Sequence, residues 1–527
     1  MPPSKASSKQ CPLALSSVLT CPRSLKATPP AAAIPRLQDY NVDPLHGFLP
    51  VNPPPLRRLP EIPYAPWEHT LDDLSALLLA GTLRETVEKL PHLSTDSLKT
   101  EREWQRAYLV LSFIGQAYVW GYNQDVAEVL PIAIAKPWHS TAQHLGLKPV
   151  ITYAAVELYN YRLIDPDGPF DLSNLAVMHT FTGNDEAWFY LISIATEAAG
   201  APALAAIVAA MHAVKEENLQ VLIDNLNIVK QAIEEITKVM MRMYERNDPH
   251  IFYHRVRPYL AGWEGSSELP DGLFYEGVAP APSTCVTIKS PAEYTPANGI
   301  KGVFSRRLQN DHDNGDGHPL HGTYRKYAGA SAGQSSLIHC LDVALGIEHN
   351  PHRMARCAAA QQHIPIDPTA KTRPVDPKQP PVNHIHEMRK YMPGCHRAFI
   401  TAIEHAPSIR KYINNLNATH HDPTTPTDMD NAPVHDSALA DEATRVFNEC
   451  VLEMRTFRDR HLQIVATYIV LQAKKKKEVG HFDRPPASQS VRVRQSLQAR
   501  GTGGTDLIPF LKQSRDETTE ALLHMEI

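Results

Sequence analysis

Seven apolar residues, Leu219, Leu222, Leu226, Val229, Ile233, Ile236 and Met240, recur at alternating intervals of three and four, with Glu, Asp and Lys between them. Only an α-helix gathers such positions on one face, because i, i+3, i+4 and i+7 fall together at 3.6 residues per turn. The stretch from Glu101 to Gly121 repeats the pattern with Trp104, Tyr108, Leu111, Ile114, Tyr118 and Trp120, and predicts a buried helix. From Glu186 to about Val214 the chain is apolar nearly all round, which places a helix in a core; Gly200-Ala201-Pro202 is expected to break or kink it. A last long helix is predicted from about Ser437 to Ala473, with Lys474 to Lys477 at the negative end of its dipole, then a polar loop and a short closing helix. Strand-like alternation is scarce. The expected fold is therefore mostly α, and 527 residues exceed one compact core, so two or more domains are expected.

Composition bounds the partners. The formal net charge of −5 gives no field that would draw nucleic acid or an anionic membrane. No apolar run reaches the ~18 residues of a bilayer span, so no membrane is expected. The seven cysteines are widely spaced with no C-x-x-C, which argues against a disulfide framework or a thiolate zinc site and for a reducing compartment, the cytoplasm. Residues 1–38 hold Lys5, Lys9, Arg23, Lys26 and Arg36 and no acid, a loosely transit-like composition that leaves mitochondrial targeting as an alternative. Prolines after Pro12 interrupt any long amphipathic helix there, so the segment reads as a disordered arm. The 45 prolines otherwise cluster in the run up to residue 66 and in three predicted surface insertions, near 279–321, 363–381 and 417–435. Helical signal begins near Thr70.

The last long helix carries the most suggestive residue. Phe447, Val451, Met454, Phe457, His461, Ile464, Val465 and Tyr468 form one stripe, and His461 lies on its apolar side. A buried imidazole needs a partner. A haem iron in a dry pocket is one, and a backbone carbonyl is another. Arg458 shares that face and could pair a propionate or a nearby carboxylate. Arg257, within Tyr253 to Leu260, could clamp a substrate carboxylate in two-point fashion or serve a structural salt bridge. A rival motif is Gly329-Ala330-Ser331-Ala332-Gly333, which matches G-x-S-x-G, with Asp342 and His461 following in chain order. Its context fails: Tyr324 to Tyr327 is no apolar strand, and Asp342 is too near Ser331 to come from a later one. Other metal motifs fail on inspection. His386-Glu387-Met388-Arg389-Lys390 lacks the second His of H-E-x-x-H, and Asp311 to Gly322 departs from a calcium loop at Asp316 and Gly322. Gly501 to Thr505 lacks the P-loop Lys and suits a lid, or is only a turn.

Nine segments in order resemble the indoleamine 2,3-dioxygenase family. They are Pro66-Trp67-Glu68, then AYVWG from Ala117, FYLIS from Phe189, RPYLAGW from Arg257, DGLFYEG from Asp271, SAGQSS from Ser331, YMPGCHR from Tyr391, RHLQIV from Arg460 and GTGGTDL from Gly501. The resemblance covers roughly Asp39 to Leu522, and the long insertions are typical of fungal-looking sequences. It implies a smaller helical domain over 39–180 covering a larger one over 181–527, with one haem b between them and the boundary near Thr180.

Carried over by position, the resemblance implies that His461 is the sole protein ligand to iron. Asp342 would support it from the proximal side, and Arg458 would face a propionate. Ser331 and Ala332 would lie against the cofactor. Tyr153, Phe189, Ser193, Phe252, Arg257 and Ser331 would line the opposite, substrate side, and Thr505 would sit in a loop closing over it. The implied reaction is cleavage of the indole C2–C3 bond of L-tryptophan by O2, giving N-formylkynurenine in a kynurenine pathway, with NAD biosynthesis and tryptophan degradation both open as its role. The protein would act as a monomer with an external reductant keeping the iron ferrous. The alternative is a haem-binding relative acting as an oxygen carrier or sensor. The distal pocket is expected to be rich in apolar and hydroxyl groups and poor in carboxylates. Departures are Val156, Ala328-Gly329-Ala330 in place of a double glycine, and the hydroxyl of Tyr190.

Overall fold

Thr100 and Glu103 form a reciprocal cap. The Thr100 hydroxyl accepts from the Glu103 amide, and the Glu103 carboxylate accepts from the Thr100 amide. That cap starts α4 (Glu101–Trp120), which is buried along most of its length. It is the longest helix of the N-terminal part, after α1 (Ala65–Asp72), α2 (Leu74–Ala80) and α3 (Leu83–Glu88) and before α5 (Ile132–Leu145). The computed structural model describes residues 33–279, 286–288, 320–350, 383–420, 434–478 and 507–524. Most of the N-terminal arm, all of 363–381, most of the other two expected insertions, and Thr505 lie outside the described residues.

Helices dominate, as the periodicity predicts. The central layer is α6 (Asn184–Lys215) packed along α7 (Leu219–Met241), with the amide of Val221 capped by Asn218. Leu222, Leu226, Val229, Ile233, Ile236 and Met240 are buried, as their spacing requires. The expected break at Gly200-Ala201-Pro202 does not occur: α6 runs through Pro202 as one helix. The flanking packing outweighs the lost N–H, and Gly200 serves a different purpose. A Cβ there would lie 2.3 Å from Leu337 Cδ2, so the glycine lets a later helix approach. Helix α6 is also long and apolar enough to cross a membrane, contrary to the expectation that no stretch is; half of its apolar window is buried against the rest of the protein.

After α7 come α8 (Pro249–Ile251), a π turn (Phe252–Val256) and α9 (Arg257–Leu260). The remaining helices are α10 (Ser336–Ala344), α11 (His384–Met388), α12 (Gly394–His405), α13 (Ile409–His420), α14 (Val434–Val465), α15 (Leu471–Glu478) and α16 (Leu507–Thr519). Helix α14 packs on α7 and α16. Between α14 and α15 lies a further π turn, Ala466–Val470, so the single helix expected over 437–473 is in fact two helices joined by a wider turn.

Two small sheets escaped the sequence reading. Strands β2 (Tyr161–Leu163) and β3 (Leu175–Val177) form an antiparallel pair. A four-stranded sheet has the order β1-β4-β6-β5, from β1 (Val129–Leu130), β4 (Leu273–Glu276), β5 (Val286–Ile288) and β6 (Leu320–Arg325). Every residue of β4 is buried, so no alternation marks it. A strand does precede Ser331, but it is not the apolar strand a G-x-S-x-G turn needs: β6 carries His321, Gly322, Thr323 and Arg325, pairs antiparallel to β4 and ends at Arg325. One continuous apolar core runs from Leu37 to Leu523, and the expected boundary near Thr180 falls in the segment between β3 and α6.

Candidate functional site

Between α6, α10, α14 and α16 lies a cavity of about 280 Å³. Ten of the predicted site residues line it: Tyr153, Phe189, Ser193, Phe252, Arg257, Ser331, Ala332, Asp342, Arg458 and His461. The chain brings these together from positions far apart in sequence. Its wall is shaped by π turns, which add one residue to a helical turn and are frequent at functional sites. Residues of Ala154–Leu158, Phe252–Val256 and Ala466–Val470 all face it, through Val156, Glu157, Phe252, Tyr468 and Ile469.

His461 projects from α14 beside Phe457, Ile464 and Val465, which also line the cavity. Among the described residues no hydrogen-bond partner is found for its ring. Burial, reinforced by the nearby Arg458 charge, lowers its pKa to about 4, so the imidazole is neutral at physiological pH. A neutral imidazole with an open lone pair is the form that ligates a metal. No group of three or more His, Cys, Asp or Glu among the described residues could hold a metal ion. An iron at His461 would take its remaining ligands from elsewhere, as a porphyrin provides, and the apolar lining suits a flat macrocycle. The residues present fit a haem.

Arg458, one turn before His461, takes the carboxylate that the sequence left open. Its Nη2 donates to Asp342 Oδ1 at 2.7 Å and Oδ2 at 2.8 Å, and its Nη1 donates to Thr518 on α16. Asp342 therefore reaches the His461 neighbourhood through Arg458, with no hydrogen bond to the imidazole among the described residues, and the guanidinium expected to face a propionate is already engaged by Asp342 and Thr518. Asp342 also meets His349 Nε2 at 3.2 Å, and His349 Nδ1 meets Glu517 at 2.8 Å. Burial would raise the Asp342 pKa, but the Arg458 and His349 charges outweigh it and hold the carboxyl at about 2.

On another part of the wall, Phe189 and Phe252 lie 4.9 Å apart, ring centre to centre, and Tyr468 meets Phe252 edge-on at 5.7 Å. Arg257 is 1% exposed and sits over the Tyr253 ring at 5.3 Å. Burial lowers its pKa to about 10, so it stays a cation at neutral pH in a site that favours an anion. Ser193 donates to Phe189 O at 3.3 Å.

Ser331 is extended, and its hydroxyl accepts from the Gly333 amide at 3.2 Å. With Asp342 bound to Arg458 and His349, the described residues hold no Ser331-His-Asp relay, and the hydrolase motif is a coincidence. The loop is instead held by close backbone contact. A Cβ at Gly329 would lie 2.0 Å from Leu260 O, and one at Gly262 would lie 2.3 Å from Tyr327 O. Gln334 ties the loop further, donating to Gly329 O and accepting from the Tyr153 amide.

The cavity is poor in carboxylates, as expected, but not free of them. Glu157 lines it, and Glu197 lies behind the wall, accepting from Tyr153 Oη at 2.9 Å and Ser335 Oγ at 2.6 Å. Burial pushes Glu197 up to about 7 and raises Glu157 well above the carboxylate range. Both acids sit in otherwise apolar runs, and an unexplained acid in such a run was the available signal. The far wall from α16, with Leu507, Phe510, Leu511 and Ser514, was also missed.

A family model described as indoleamine 2,3-dioxygenase matches residues 36–521. Indoleamine 2,3-dioxygenase 1 of Mus musculus is 33% identical over 489 residues, covering 92% of this chain and 96% of the mouse protein. The indoleamine 2,3-dioxygenase of Saccharomyces cerevisiae is 31% identical over 507 residues, covering 92% and 93%. That of Penicillium citrinum named qulI is 33% identical over 495 residues, covering 92% and 88%.

Proposed function

The chain belongs to the indoleamine 2,3-dioxygenase family, an oxidoreductase family, and from that premise we propose that it is a haem-dependent enzyme opening the indole C2–C3 bond of L-tryptophan. Both atoms of O2 enter the product, N-formylkynurenine, so no net reductant is consumed per turnover. An external reductant is needed only to keep the iron ferrous. When bound, the haem supplies the iron at which O2 is activated.

The observation that carries this reading is His461: a neutral imidazole on the cavity wall, among apolar side chains, with no partner among the described residues. The rest of the site does what a bound indole amino acid requires. Arg257 offers a buried cation to the substrate carboxylate. Phe189 and Phe252 hold the flat ring by packing, and the apolar wall keeps water out.

The test is an optical spectrum of the purified, haem-supplemented protein, with and without L-tryptophan under ascorbate-driven turnover. A Soret band with growth of N-formylkynurenine absorbance is expected, and His461→Ala should abolish both. A Soret band without product would move the reading to an oxygen carrier or another indole. No Soret band would sink it.

A further inference from the structure

Among the described residues, Glu157 is the one acid that both lines the cavity and leaves an oxygen unmet. Its side chain is buried, and none of the described residues gives Oε2 a hydrogen-bond partner. An apolar residue would line this wall at no cost, whereas a buried carboxyl oxygen without a partner costs free energy. The Tyr153 and Ser193 hydroxyls lie close to the carboxyl, and Val156 and Ile192 supply apolar contacts that a flat ring would use.

We propose that Glu157 is a specificity-determining residue, its carboxyl accepting a hydrogen bond from the ring portion of the substrate, either the indole N–H or a hydroxyl on the six-membered ring. The inference rests on the reading of this cavity as an indole site. Burial and the nearby Glu197 charge raise the Glu157 pKa, which disfavours its service as a counter-charge to a substrate ammonium. The carboxylate end of the substrate has its own partner in Arg257. The Tyr153 and Ser193 hydroxyls leave Oε2 unmet among the described residues, and a ring donor would satisfy it. A site built around such a bond discriminates strongly against an analogue that lacks the donor, because the acid is then left bare.

The experiment measures dissociation constants by calorimetry on the haem-supplemented protein and its Glu157→Gln, Glu157→Val and Glu157→Met variants. The ligands are L-tryptophan, 1-methyl-L-tryptophan, 5-hydroxy-L-tryptophan and 6-hydroxy-L-tryptophan, with thermal denaturation to check folding. The wild type should favour a donor-bearing ligand over its counterpart by about tenfold or more. A preference for L-tryptophan over the N-methyl compound assigns the indole N–H, and a preference for a hydroxylated ligand over L-tryptophan assigns the ring hydroxyl. The preference should collapse in Glu157→Val or Glu157→Met and persist in Glu157→Gln, which keeps a carbonyl acceptor. Unchanged ratios in a folded apolar variant, or no preference in the wild type, overturn the inference. So does failure of both apolar variants to fold, which would make the acid structural. If L-tryptophan itself does not bind, the functional reading fails separately. Indole against 1-methylindole and 5-hydroxyindole then decides the role of Glu157 by the same ratios, and no binding of any of them overturns it.

Discussion

Asp342 and Arg458 face each other through two hydrogen bonds, of 2.7 and 2.8 Å, with both side chains more than nine-tenths buried. Removing one partner strands a buried charge. Arg458→Ala should therefore destabilise the protein by about 3–5 kcal/mol, whereas a variant replacing both residues with apolar ones should recover much of that loss. Urea denaturation of the two variants checks it; equal losses would show that the pair is not the unit of stability.

The same carboxyl sets an acid limit. Its pKa is held at about 2 in the folded protein, below the roughly 3.9 of an unfolded aspartate. Its stabilisation is present above pH ~4 and is lost as the pH falls through 2. Asp342→Asn should flatten the stability profile in that window, as followed by circular dichroism.

His349 imposes the opposite dependence. Burial would lower its pKa, but its bonds to Asp342 and Glu517 prevail and raise it above the usual histidine value. A raised pKa contributes stability that is full below pH ~6.5 and is lost as the pH rises through the folded value. His349→Gln should remove this alkaline loss. Melting temperatures between pH 5 and 9 measure it, and a slope unaltered by the substitution would refute the assignment.

Arg257→Ala should weaken binding of L-tryptophan by roughly 10–100-fold, the worth of a charge-assisted hydrogen bond. Tryptamine, which lacks the carboxylate, should bind the variant and the wild type alike. The Soret band should survive; loss of haem from this variant would contradict the assignment of Arg257 to the substrate.

Gly329→Ala places a Cβ 2.0 Å from Leu260 O, where only backbone movement can relieve the clash. A cost of about 1–3 kcal/mol is expected, with weaker ligand binding because the displaced loop carries Ser331. A stable variant with unchanged affinity would mean that the two backbones separate freely.

Much of this arrangement was legible in the chain. The helical stripes located α4, α6, α7 and α14, and the stripe on α14 singled out His461, because periodicity records burial directly. Other features leave no such record. The shared face of Arg458 and His461 could not reveal that the guanidinium's partner lies 116 residues earlier. The strand β4 hid because it is buried on both faces, and Pro202 misled because local propensity yields to the packing around α6. Glu197 was absorbed into the apolar run from Glu186 to Val214 and Glu157 carried no pattern of its own, since sequence does not say which side of a turn meets an empty space.

The π turn Phe252–Val256 has a consequence for how this site can change over time. Deleting any one residue within it would let the ordinary helical hydrogen bonding resume and rotate all that follows by about 100°. Arg257, the next residue, would swing away from the cavity while the helix itself stayed intact. Descendants of this chain can thus trade side chains along the wall one at a time, but a single-codon loss here would erase the anchor in one step.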